Sequence, residues 1–423
     1  MLQSRPSAFT QNASIASIMT LVIFTGFLPV HVATGQETKT NGSGGLSVET
    51  VKEHFEKTNS EKAARWLVAH AYPKAMWNSL RASERDVLEK AILRIPSDST
   101  EDAQLKVDYA GFISKKRGEK KAVPFLIAAA GSFPNLGLHA AKIVKESGDV
   151  EQAEQLAQDA MLAFKKLHAA SPDDVTHAMG LATSLLFLKK NTEALVTLIA
   201  ASQKTESEED RDRLNYAIGD AIVLWILDMN EIEADPENPA ADPRNNIWKM
   251  MNSAVDAAPN NVQVLSELRK QLMLIKDKNE AEFDRDKELL FGGTQPGFYE
   301  LVRGVAALIN NQERIAGINL NRAVELQPKY TLVLKNLAVA FGSGYRGALD
   351  NSDMLNLGLK LSNVAIKKTP DAAPEYYETR GQILIRLKKY REAISDLEKA
   401  SEDPEREAVM KRLVEDCKLY LDQ

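Results

Sequence analysis

The chain has 423 residues, of which 44% are hydrophobic and only 6% aromatic. Alanine and leucine carry most of the apolar content, which favours helices packed on helices over a β-sandwich built from valine, isoleucine and aromatic side chains. The 53 basic and 59 acidic residues nearly cancel to a formal net charge of −6, which argues against a general nucleic-acid-binding protein because such proteins carry a basic excess.

Residues 1–35 have the layout of a secretory signal peptide. Arg5 is the only Lys, Arg, Asp or Glu among them, and Ile15–Val32 is an apolar run followed by small residues. This layout predicts cleavage before Gln36 and an exported protein with no stable membrane span. The alternative is a retained membrane anchor, for which the interrupted apolar run is short.

A single cysteine, Cys417, leaves an exported protein without an internal disulfide. That favours a bacterial periplasm or exterior over a eukaryotic secreted module, in which disulfides are common. No histidine follows residue 177, so no base is available nearby in sequence. Cys417 is therefore interpreted as a small packing residue of the last helix.

Helices are predicted with little interruption after a polar, glycine-rich linker at 36–47. No sustained alternation of apolar and polar residues occurs, so strands are not expected. The predicted segments after the linker are a helical N-terminal cap or degenerate repeats at 48–100, repeats at 101–204, degenerate helical repeats at 205–296 with a proline- and aspartate-rich insert at 230–246, and C-terminal repeats with a capping helix at 297–423.

A recurring pattern of small residues organises the C-terminal segment. Within 296–328, a helix containing Gly304 is followed by a helix containing Ala316 and Ala323, and then by Pro328. The pattern restarts 34 residues further on. The last copy carries its elements in order: Tyr377, Gly381, Leu384, Tyr390, Ala393, Leu397, Ala400 and Pro404.

These residues resemble the tetratricopeptide repeat (TPR) family, with Arg380 standing where the family has leucine. A small residue on the first helix lets the two helices of a hairpin approach closely, and alanines on the second let the next hairpin stack. The resemblance covers roughly 101–423, with weaker matches in the middle. It implies an all-α fold, a right-handed superhelical solenoid of antiparallel helix hairpins.

No motif points to catalysis, a cofactor or a metal. The histidines are scattered, without HExxH or paired-cysteine spacing. Glycine-rich stretches at 291–297 and 342–347 lack the GK[ST] of a phosphate-binding loop and are interpreted as turns. No GxSxG nucleophile motif is present. The sequence therefore predicts that the protein is not an enzyme and needs neither cofactor nor metal.

Two basic clusters, at 114–122 and 386–391, fall at predicted turns inside hairpins. Long solvated side chains are expected at such turns. The other interpretation is weak contact with anionic envelope components such as phospholipid heads or acidic glycans.

The superhelix implied by the resemblance has a concave groove lined by the first helix of each hairpin. The predicted partner-binding residues lie on these helices: Phe298, Leu301, Val305, Leu308, Lys335, Val339, Glu378, Gln382 and Arg386. Phe298 and Leu301 have core packing as their alternative. Val339 occupies the position where a carboxylate-clamp TPR would need asparagine, so that clamp is not supported.

The predicted function is therefore an exported scaffold that binds a protein or peptide partner, without catalysis. Two alternatives stay open. An α/α-toroid enzyme acting on polysaccharide would need aromatic platforms and a pair of carboxylates, whereas the four tryptophans do not recur at one place in the repeats. A helical solute-binding protein would have a deep closed pocket instead of an open groove.

Overall fold

The computed structural model describes residues 47–232, 242–342, 351–369 and 371–421. The predicted signal peptide, nearly all of the linker and the middle of the insert at 230–246 lie outside these ranges. Contacts between residues divide the chain into two compact units, one ending at Thr197 and one starting at Leu198. They are called the N-terminal unit and the C-terminal unit below.

The N-terminal unit consists of helices joined by short turns. The elements are α1 (Val48–Thr58), α2 (Glu61–Trp66) continued by a π-helical turn (Leu67–Ala71), a 3-10 turn (Lys74–Met76), α3 (Ala82–Arg94), α4 (Thr100–Arg117), α5 (Glu119–Ala129), α6 (Pro134–Glu146), α7 (Val150–Ala170), α8 (Val175–Phe187) and α9 (Asn191–Lys204), within which the division falls. The closest neighbours are α4 with α5, α6 with α7, and α7 with α8.

A buried aromatic group and a buried lysine join the first helices to the first hairpin. Tyr109 on α4 is fully buried, with its ring centre 4.9 Å from those of Trp77 and Phe125. Lys106, 1% exposed, donates from Nζ to Oγ of Ser97 at 2.5 Å. Burial lowers the pKa of Lys106, and the carboxylates of Asp102 and Asp98 oppose that shift.

The C-terminal unit continues the same construction. Its elements are α10 (Glu208–Asn230), a 3-10 turn (Pro243–Asn246), α11 (Ile247–Ala257), α12 (Val262–Leu274), α13 (Glu280–Phe291), α14 (Phe298–Ile309), α15 (Glu313–Leu326), α16 (Tyr330–Gly342), α17 (Ser352–Lys368), α18 (Pro374–Arg386), α19 (Tyr390–Ala400) and α20 (Glu407–Leu421). Hairpins form from α14 with α15, α16 with α17 and α18 with α19, and α20 packs on α19.

No strand occurs in the described ranges, and most helices there pack against a chain neighbour. The predicted all-α fold of antiparallel helix hairpins is therefore confirmed. The small residues occupy the predicted contacts. A Cβ atom on Gly304 would lie 2.6 Å from Cδ2 of Leu320, and one on Gly381 would lie 3.0 Å from Cδ2 of Leu397.

The stacking is irregular around α14. This helix contacts α12, α13, α15 and α17, so other helices surround it. Helix α12 in turn reaches α16, where Asn336 donates from Nδ2 to the carbonyl oxygen of Pro259 at 3.0 Å. As a result α10 contacts α12, α12 contacts α16, and α16 contacts α18. The candidate binding surfaces lie on these four helices.

Candidate protein-binding surface

Four of the nine predicted binding residues are core residues. They lie on α14 and are between 0% and 6% exposed: Phe298, Leu301, Val305 and Leu308. Their predicted role in a groove is wrong, because nine of the twelve residues of α14 are buried against the helices that it contacts. Phe298 illustrates the cause, since its ring centre lies 6.5 Å from the rings of Trp248, Phe291 and Tyr330.

The other five predicted residues lie on two neighbouring helices, α16 and α18. They form what is called the α16–α18 face: Lys335, Val339, Glu378, Gln382 and Arg386. Val339 is 42% exposed, and Gln382 is also exposed. The structure thus places five of the predicted residues on two neighbouring helices and the other four in the core.

Lys335 is the least solvated charge of this face. Burial lowers the pKa of its ammonium group, and the carboxylates of Glu375 and Glu378 oppose that shift. The Nζ atom lies 5.6 Å from the ring centre of Tyr376, a cation–π contact. Lys335 is therefore held in place before any partner arrives, which reduces the conformational entropy that binding would cost.

Glu378 is fixed by contacts on both sides. Gln382 donates from Nε2 to Oε1 of Glu378 at 3.0 Å, and Nη1 of Arg406 pairs with Oε2. Arg406 is oriented in turn by Asp403, which accepts from its Nε at 2.9 Å. The hydrogen bond to Glu378 raises the pKa of Arg406. The α16–α18 face therefore offers ordered charges beside the exposed aliphatic side chain of Val339.

A cleft of about 480 Å³ lies between α10 and α12. Its apolar lining comes from Val223 and Leu227 on α10 and from Met273 and Leu274 on α12. Sequence reasoning missed it because α12 fits the repeat pattern poorly. One signal was present in the sequence. Gln263, Ser266, Lys270 and Leu274 are spaced three or four residues apart, so they share the face of α12 that lines the cleft.

Asp220 lies one helical turn before Val223 on α10. Nδ2 of the fully buried Asn261 donates to Oδ1 of Asp220 at 2.8 Å and to the carbonyl oxygen of Tyr216 at 3.1 Å. The side chain of Asn261 also caps α12 by accepting from the backbone of Gln263 at 2.8 Å. This network joins the two helices that form the cleft.

Replacing Asp220 by Asn is expected to stabilise the protein at neutral pH. Burial raises the pKa of Asp220 to about 6, against the opposing hydrogen bond from Asn261. The folded state then binds more protons than the unfolded state, so this group's stabilising contribution falls as pH rises from about 4 to 6. Because Asp220 is partly solvated, we expect Asp220→Asn to raise the free energy of unfolding by about 1 kcal/mol at pH 7.5. The increase should become smaller towards pH 4.

Urea denaturation of wild type and Asp220→Asn at pH 7.5 and pH 4.5 measures this difference. Asp212→Asn, at an exposed position of the same helix, is the matched control and should show no such dependence. Equal stability of Asp220→Asn and wild type at pH 7.5 would contradict the assignment.

The described residues contain no group of three or more His, Cys, Asp or Glu side chains arranged to hold a metal ion. In the same part of the chain, no helix is both long and apolar enough to cross a membrane. The first basic cluster lies where it was predicted: α4 ends at Arg117, α5 begins at Glu119, and Gly118 makes the turn with φ 91°. Its cationic side chains are exposed.

Comparison with known proteins adds little to these observations. No protein-family model and no curated protein matches the chain. The crystal structure of yeast Tom70 is similar over 89% of this chain and 88% of its own, with 17% identity and a TM-score of 0.27. The crystal structure of the APC/C hetero-tetramer Cut9-Hcn1 is similar over 88% and 72%, with 14% identity and a TM-score of 0.23. Both similarities are too low to assign a function to this chain.

Proposed function

We propose that the chain is an exported scaffold of the TPR type that binds a protein or peptide partner through the α16–α18 face and performs no catalysis. The observation that carries the proposal is this face itself. Lys335 and Glu378 are held by protein contacts, while Val339 and Gln382 stay exposed beside them. Partner-binding patches combine an apolar centre with a polar rim, and Val339 with these polar neighbours matches that arrangement.

The TPR assignment is supported by the packing of the last hairpin. Gly381 on α18 faces Leu397 on α19, and Ala393 and Ala400 are fully buried. These are the positions at which the family pattern requires small residues, for close approach within a hairpin and for stacking of the next one.

Export is proposed from the N-terminal pattern, with the periplasm or exterior of a bacterium as the location. Cleavage before Gln36 would release the chain, and retention of the apolar segment would anchor it. Weak contact with anionic envelope components through Lys115, Lys116 and the neighbouring basic side chains of the α4–α5 turn belongs to the same proposal.

Val339→Arg is expected to reduce partner capture about tenfold, which corresponds to about 1.4 kcal/mol. A long charged side chain at the centre of the face would have to be desolvated against the partner. The measurement is affinity capture from envelope extract by the chain from Gln36 onward, with quantitative mass spectrometry.

Ile318→Arg is the matched control, because Ile318 is exposed to 60% on α15, away from the α16–α18 face. Its capture should stay within about twofold of wild type. Capture of the same proteins at the same level by Val339→Arg would refute the proposed face. Cleavage of a polysaccharide panel without any captured protein would favour the α/α-toroid alternative.

A further inference from the structure

The cleft between α10 and α12 is elongated. The α12 residues that line it run from Gln263 to Leu274. At 1.5 Å per residue this corresponds to a length of about 16 Å, or three helical turns. The opposite wall is formed by the α10 residues Val223 and Leu227, one turn apart.

Leu274 and Lys270 are the most accessible side chains of the cleft. Leu274 is 71% exposed and forms an apolar end together with Met273. The Lys270 side chain is 54% exposed, whereas Glu267 beneath it is only 6% exposed. Glu267 accepts from Nε2 of Gln271 at 2.6 Å and lies 3.5 Å from Nζ of Lys270. Lys270 thus forms an ion pair with Glu267, and because Glu267 is buried while Lys270 is exposed, the cation is the more accessible charge of this pair.

We propose that this cleft binds an amphipathic helical segment of a protein partner, with apolar residues at i, i+3 or i+4 and i+7 and an acidic side chain that pairs with Lys270. The inference rests on the proposed scaffold function and specifies the chemical character of the partner segment. Asp220 lies towards the opposite end, beyond Gln263, so the acidic residue of the occupant belongs at the Lys270 end.

A helix suits this cleft better than an extended peptide. An extended backbone would need hydrogen-bond partners along its length, and the polar side chains that could supply them line only the α12 wall, whereas Val223 and Leu227 on the α10 wall offer none. A helix satisfies its own backbone and can pack its side-chain ridge between two neighbouring helices.

The test uses protein purified after expression of the complete sequence. A display library of 14-residue helical peptides, with an acidic, basic or neutral residue at the central position, is selected for binding, and affinities of the enriched peptides are measured by fluorescence anisotropy. The expected binders are acidic at that position and bind at least tenfold more tightly than the same peptides with lysine there. Leu274→Ser should weaken them about tenfold.

Val262→Ser is the matched control, because Val262 is 58% exposed on the same helix but does not line the cleft; its affinity should stay within about twofold of wild type. Lys270→Glu should switch selection to basic peptides. The inference is overturned if no peptide is enriched, or if Leu274→Ser does not change the affinity of the enriched peptides. It is also overturned if Lys270→Glu still selects acidic peptides.

The two proposals can fail separately. Val339→Arg and the capture of envelope proteins test the scaffold function, and Leu274→Ser with defined peptides tests the cleft. Envelope capture that is intact while the peptide selection fails would remove the cleft alone.

Discussion

Asp396→Ala is expected to lower the free energy of unfolding by about 3 kcal/mol. Asp396 is 3% exposed on α19 and accepts two hydrogen bonds from Arg380 on α18, from Nε at 2.6 Å and from Nη2 at 2.7 Å. Nη1 of Arg380 reaches Oδ1 of Asn363 on α17 at 2.9 Å. Removing the carboxylate would leave a partly buried guanidinium among three helices without its charge partner.

The double variant Arg380→Leu/Asp396→Leu is expected to lie within about 1 kcal/mol of wild type, because an apolar pair replaces both charges at once. A double-mutant cycle by urea denaturation separates the two cases. Glu415→Ala, which breaks the exposed pair with Lys418 at 3.0 Å, should cost under about 1 kcal/mol. A double variant as unstable as Asp396→Ala alone would show that packing, and not the ion pair, sets the loss.

Gly304→Val is expected to lower the free energy of unfolding by about 3 kcal/mol. A Cβ atom at this position would lie 2.6 Å from Cδ2 and 3.1 Å from the backbone nitrogen of Leu320. Leu320 is fully buried, so it has no free space to move into, and the backbone contact can be relieved only by separating α14 from α15. The β-branched side chain adds further volume to the same contact.

Gly317→Ala provides the matched control on the second helix of the same hairpin. No atom lies within 4 Å of a Cβ built there, so the higher helix propensity of alanine should stabilise the protein by about 0.5 to 1 kcal/mol. Urea denaturation of both variants measures the contrast. If Gly304→Val costs no more than about 1 kcal/mol, the close approach of the two helices does not depend on this glycine.

Arg380 shows where a family pattern describes a position without explaining it. The sequence has Arg380 where the TPR pattern has leucine. The pattern does not indicate which residue the arginine contacts. The structure supplies the reason, because Asp396, sixteen residues later, is buried and accepts two hydrogen bonds from Arg380. Such pairing depends on the distance between two helices, which a list of small and large residues does not contain.

The predicted binding residues show the same limit of the repeat pattern. Lys335, Val339, Glu378, Gln382 and Arg386 lie on two helices that contact each other, and their role in binding stays a prediction. The α14 residues were placed in the same groove, but they are buried. Most residues of their helix are buried, and periodicity does not tell which neighbouring helices will cover them.

The sequence by itself determined the all-α class, the hairpin as the building unit and the small residues at its contacts. These follow from local periods of 3.6 residues and from the volume that two close helices leave between them. Only the tertiary structure decided that α14 is enclosed, that α12 reaches α16, and that a cleft opens between α10 and α12. Those outcomes depend on how each hairpin is stacked on others far along the chain, and no short-range pattern encodes that geometry.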